Sequence, residues 1–119
     1  MLMGLLDTVQ RKYPRKHFKK PVVILIKGFS QVVDGFEIGE GGLSFQTDMV
    51  LNIGDQIVVS FYIPEGGFFT LRGVIKNTIA EQASKPGFVV YGSNFKEVSV
   101  ALKRQIRAYV ARTVIERAV

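Results

Sequence analysis

Apolar and polar residues follow three rhythms along this chain, and each rhythm predicts a different kind of structure. The first ten residues, MLMGLLDTVQ, admit a short amphipathic helix or a frayed end. Pro14 draws Tyr13 into an extended conformation and stops any helix before it, so residues 11–20 are expected to form an arm. From Pro21 the run VVILI is β-branched and unbroken, which predicts a strand buried on both sides. Val32 to Ile38 alternates through Val32, Asp34 and Phe36 and predicts a second strand. Gly39, Gly41 and Gly42 crowd into a tight loop, after which Leu43, Ser44 and Phe45 resume extended structure. Asn52, Gly54 and Asp55 signal a turn, QIVVSFYI reads as a strand, and Pro64 to Gly67 reverse the chain into FFTLRGVIK. Asn77 to Gly87 reads as a polar loop, and FVVYGSNF is the last strand.

From Val98 the period changes. Val98, Leu102, Ile106, Tyr109, Val110, Thr113 and Val114 recur at three- and four-residue steps, while Lys103, Arg104, Arg107, Arg112 and Arg117 fall mostly on other faces. This pattern predicts an amphipathic helix. Its apolar stripe must cover something, and the open end of a barrel or a second subunit, giving a homodimer, are the two candidates. Basic residues toward its C-terminal end complement the helix dipole and read as a solvated face. About six short strands with turn signals between them predict a mainly-β fold, a small barrel or sandwich. At 119 residues the chain suits one domain. Its expected segments are the N-terminal segment and basic arm at 1–20, the β-structure at 21–97 and the helix at 98–119.

Composition narrows the chemistry. With 47% apolar and 22% charged residues the chain is too hydrophobic to stay disordered. It has no cysteine, which removes disulfides, thiolate metal sites and a cysteine nucleophile and suits a reducing compartment. The first residues lack a positive leader and a small-residue cleavage site, and no run reaches membrane-spanning length, so a cytoplasmic protein without membrane insertion is expected. The net charge of +6 is uneven. Arg11, Lys12, Arg15, Lys16, Lys19 and Lys20 concentrate it in the arm, the β-structure is mildly acidic, and the tail is basic again. A field focused on one short arm favours an anionic partner that meets that arm. The single histidine, His17, sits in the basic arm with no plausible catalytic partner nearby in sequence. Ser44, Ser60 and Ser93 have no base nearby in sequence, and carboxylates are scattered singly, so neither an enzyme nor a metal centre is expected. GEGG lacks the lysine and the strand-to-helix context of a phosphate loop.

RKYPR has the form RxxxR through Arg11 and Arg15, and EIGEGGLSF, residues 37–45, has the frame of a D/N-x-S-x-x-G motif. Together they resemble the PilZ domain family, in which that motif follows the second strand. The order matches as well, from the arginine arm through the glycine motif and a proline-ended strand to a last strand and a helix. The resemblance runs from about Gln10 to the end of the chain. It implies a six-stranded antiparallel β-barrel with a C-terminal helix that binds cyclic di-GMP, a bacterial second messenger, without metal or other cofactor. The ligand set it implies is Arg11, Lys12 and Arg15 from the arm with Glu37, Gly39 and Gly42 from the motif.

The chemistry of that ligand suits those residues. An arginine can make a bidentate pair with guanine O6 and N7, worth about 1–3 kcal/mol, or lay its guanidinium plane on a purine. A carboxylate would accept hydrogen bonds from guanine N1 and N2 on the opposite edge. Gly42 is expected to adopt an unusual backbone conformation and let the ligand come close. Two positions depart from the motif. Glu37 stands where Asp or Asn is usual, adding one methylene, and Gly39 stands where Ser is usual. A missing hydroxyl costs about 0.5–1.5 kcal/mol, so weakened binding is expected and not its abolition. Lys16, Lys19 and Lys20 are expected to be solvated and to steer the anion, with Tyr13 and Phe18 packing within the arm. The expected role is a signalling effector in motility or biofilm control whose arm folds over the ligand and presents a surface to a partner protein. The alternatives are a degenerate adaptor that binds no cyclic di-GMP and, behind it, a basic barrel for RNA or single-stranded DNA. Such barrels interleave aromatic residues and cations on a strand face, whereas here the cations lie outside the strands.

Overall fold

A computed structural model describes residues 15–64, 66–79 and 83–118. The residues Arg11, Lys12 and Tyr13, and the expected helix or frayed end at 1–10, lie outside them. Seven strands and one helix are present among the described residues: β1 (Arg15–His17), β2 (Pro21–Ile26), β3 (Phe29–Gly39), β4 (Gly42–Thr47), β5 (Gln56–Ile63), β6 (Gly67–Ile79), β7 (Val89–Lys96) and α1 (Val100–Ala118). The six strands β2 to β7 run β3, β2, β5, β6, β7, β4, all antiparallel, and β3 pairs with β4 to close the barrel. Closure leaves these strands without a long unpaired edge.

Local sequence explains the corners. Lys27 and Gly28 both have positive φ, 48° and 82°, the geometry a two-residue turn needs to match the twist of the β2–β3 hairpin. Asp55 accepts from the backbone N–H of Asn52 at 2.8 Å and closes the turn before β5. The hydroxyl of Tyr91 accepts from Leu51 N and donates to Met49 O, both at 3.0 Å, which pins the β4–β5 connection to β7. Ser99 caps α1 by accepting from Leu102 N at 3.1 Å, so the helix proper starts at Val100 and not at Val98.

Three expectations need correction. First, VVILI is buried on one side only: Val22, Ile24 and Ile26 point into the core while Val23 and Leu25 are 40% and 45% exposed. An unbroken apolar run is the mark of a strand covered on both faces, but nothing among the described residues covers the outer face of β2. Second, Asn77 to Ile79 belong to β6 and not to a loop. Third, the arm is not loose up to residue 20. β1 pairs with the far end of β3, on the edge that β2 occupies farther along. Between β1 and β2, Phe18 N donates to Phe36 O and Gly35 N donates to Lys20 O, each at 2.8 Å.

Phe18 causes that attachment. It is 1% exposed and meets the rings of Phe61 and Tyr109 edge-on at 5.8 and 6.1 Å, so it packs in the core and not within the arm. Burying a ring this fully supplies about 1.5–3 kcal/mol. A Cβ on Gly35 would lie 2.5 Å from Phe18 O, so glycine there is what lets the arm approach β3. Ile106, Tyr109 and Val110 of α1 are buried in the same core, so the described part of the apolar stripe covers the barrel. Thr113 and Val114 fall outside the described side chains. Lys16 is not merely solvated, because its Nζ stands 3.5 Å from the centroid of the Tyr109 ring.

Candidate functional site

Register brings the singled-out residues onto the outer face of the barrel in two cross-strand rows. One row runs Arg15, Gly39, Gly42, Asn94 across β1, β3, β4 and β7. The next runs His17, Glu37, Ser44, Gly92, Asn77 and reaches β6. The middle of both rows is glycine or serine, flanked by Arg15 and Asn94 in the first and by Glu37 and Asn77 in the second. The result is a low floor with a polar rim, opening on a depression of about 800 Å³ that Lys76, Lys96 and Lys103 also line. Irregularities in the ladder flank it, between Gly35 and Glu37 on β3 and between Ile75 and Asn77 on β6. Bulges commonly re-aim side chains beside binding sites.

Of the residues expected to act together, Arg15, Glu37, Gly39 and Gly42 meet here, while Arg11 and Lys12 lie outside the described residues. Arg15 Nη1 stands 4.0 Å from Glu37 Oε1, with the two side chains 40% and 22% exposed. At that distance and exposure the pair contributes little to stability, and both groups remain available to a ligand. Ser44 holds Glu37 in place, its Oγ accepting from Glu37 N at 3.0 Å. Gly42 does not take the unusual conformation expected of it. It lies in β4, and a Cβ there would stand 2.0 Å from Ser93 O, so glycine is required for the close approach of β4 and β7.

Sequence reasoning missed a further pair. Glu40, in the turn between Gly39 and Gly42, is buried with its side chain 8% exposed. Arg107 of α1 reaches it with two bonds, Nε to Oε2 at 2.5 Å and Nη2 to Oε1 at 3.1 Å. These bonds hold the Glu40 carboxyl below the ordinary carboxylate range despite its burial, and the charges of Arg107 and Lys103 add to the effect. The turn is tied on its other side by Phe95 N donating to Gly41 O at 2.9 Å. Asn77, Gly92 and Asn94 were missed too. The available signal was Gly92 in the interior of the predicted strand FVVYGSNF, since an interior glycine marks a bulge or a close approach. Among the described residues there is no group of three His, Cys, Asp or Glu that could hold a metal, and no helix long and apolar enough to cross a membrane.

The described structure is a closed antiparallel barrel whose outer face carries a glycine-floored depression with Arg15 on its rim. The chain belongs to the PilZ domain family, whose model matches residues 9–112. Among solved structures, the Bacillus subtilis inhibitor of motility MotI/DgrA aligns with a TM-score of 0.77 at 14% identity, over 90% of this chain and 52% of its own. K. pneumonia MrkH in complex with c-di-GMP aligns at 0.71 and 19%, over 92% and 54%. The PilZ domain of Escherichia coli YcgR with c-di-GMP aligns at 0.69 and 16%, over 92% and 97%. At these identities the likeness speaks for the fold, and the chain spans about half the length of MotI/DgrA and MrkH. No curated protein sequence matches it.

Proposed function

We propose that this chain is a receptor module for cyclic di-GMP and acts as a signalling effector, not as an enzyme. The observation that carries the reading is the convergence of Arg15, Glu37 and the Gly39–Gly42 corner on one depression, with Arg11 four residues upstream of Arg15. Its volume of about 800 Å³ falls in the range of about 300–1,000 Å³ usual for small-molecule sites. The glycine floor leaves room for a flat purine. Arg15 offers a planar fork to a guanine O6/N7 edge or to a phosphate, and Glu37 offers a carboxylate to N1 and N2 of guanine. Lys12 and the rim lysines add positive potential for the phosphates.

In this reading the basic arm carrying Arg11 and Lys12 folds over the ligand, and a partner protein reads the surface so formed. The reading places the protein in the bacterial cytoplasm, in second-messenger control of a process such as motility. A second reading, an adaptor that binds no cyclic nucleotide, draws on Gly39, which lacks the hydroxyl of the family motif.

Calorimetric titration with cyclic di-GMP decides between them. Wild type should bind, and Arg11→Ala and Arg15→Ala should each weaken binding by about 5- to 150-fold, the loss of one bidentate pair. Absence of heat with wild type at high micromolar ligand would leave the adaptor, and wild-type affinity in both variants would remove the assigned arm contacts. Strongly salt-dependent binding to any oligonucleotide would instead favour a nucleic-acid barrel.

A further inference from the structure

We infer that Glu40 and Arg107 form a positioning pair that couples occupancy of the ligand depression to the docking of α1 on the barrel. The inference rests on the ligand reading above and adds a pair in which Glu40 lines the depression and Arg107, which does not line it, holds Glu40 from α1. Glu40 occupies a two-residue turn whose flanking glycines, Gly39 and Gly42, form the floor of the site. Arg107 reaches across 67 residues of sequence to hold both carboxylate oxygens of Glu40. Two parallel bonds to a buried carboxylate fix position and orientation together. The corner is therefore tied to this turn of α1 as well as to β7. The same turn carries Ile106, Tyr109 and Val110, and Tyr109 packs on Phe18 and under Lys16 of the arm, the one three residues after Arg15 and the other next to it. Helix, arm and glycine corner are thus one connected body.

Linkage requires reciprocity. If docking of α1 favours the ligand-ready corner, the ligand must favour docking of α1 by the same factor. A purely electrostatic role predicts something different. Removing Arg107 would take a positive charge from beside an anionic ligand and weaken binding, whereas neutralising Glu40 would take a negative charge from there and tighten it. Positioning predicts a loss in both cases.

The test is titration of the full chain with cyclic di-GMP for wild type, Glu40→Gln, Arg107→Gln, Arg107→Lys and the Glu40→Gln/Arg107→Gln double variant, with amide hydrogen exchange of residues 102–110 measured with and without ligand. Both single glutamine variants should lose about tenfold in affinity, inside the 5–150-fold span of typical couplings. The double variant should lose no more than either single one, and Arg107→Lys should lose less than Arg107→Gln. Ligand should slow exchange in α1 of wild type and fail to do so in Arg107→Gln. Opposite signs in the two single variants, or unchanged affinity with unchanged α1 protection, would overturn the coupling while the ligand reading stands. No binding by wild type would remove the ligand reading and the coupling with it.

Discussion

Truncating Phe18 to alanine is expected to destabilise the protein by about 3–5 kcal/mol, the usual cost of emptying a phenylalanine site in a core. The structure supplies the parts of that figure. The ring is 1% exposed, so its whole transfer term of about 1.5–3 kcal/mol is lost. Its edge contacts with Phe61 and Tyr109 go as well, at about 0.5–1.5 kcal/mol each. A cavity remains, because its walls come from the barrel, the arm and α1 and cannot close in concert. Against a total stability of about 5–15 kcal/mol for a domain of this kind, the variant still folds but with much of its margin spent. In urea, with a slope near ~2 kcal/mol per molar, the unfolding midpoint should fall by about 1.5–2.5 M. Lys19→Ala, the exposed neighbour, should stay within about 0.5 kcal/mol of wild type. A loss below about 1 kcal/mol for Phe18→Ala would mean that the arm is an attachment to the barrel and not part of its core, and the account of how Arg15 is held would fail with it.

Two substitutions probe the glycine corner. Gly42→Ala places a methyl where only 2.0 Å separates it from Ser93 O. Overpacking against backbone should cost about 1–3 kcal/mol, and an unchanged melting temperature by calorimetry would show that β4 and β7 can part freely. Gly39→Ser restores the hydroxyl usual in the family motif and should tighten cyclic di-GMP about two- to twelvefold in the same titration, while equal or weaker affinity would remove that hydroxyl from the account.

Much of the barrel was legible because alternation within a strand is a local property. QIVVSFYI coincides with β5, and the three- and four-residue steps after Val98 put Ile106, Tyr109 and Val110 on the face that is in fact buried. Arg15, Glu37 and the glycine loop were also legible, through the order and spacing of two short motifs. Other features were not. Nothing local separates VVILI from a strand covered on both sides, since exposure of Val23 and Leu25 depends on what lies over β2. Phe18 sits in a run of cations and reads as an arm residue until the chain curls back onto β3.

The sequence by itself determined most of the strand segments and turns, that its tail is helical, and where its positive charge gathers, because each follows from neighbours a few positions apart. Tertiary structure alone decided that His17, Glu37, Ser44, Gly92 and Asn77 share one row, and that Arg107 closes on Glu40. Those neighbours are set by inter-strand register and by the docking of one helix. Both are fixed when the barrel closes and its core fills, a condition satisfied by the whole chain at once and written in no single stretch of it.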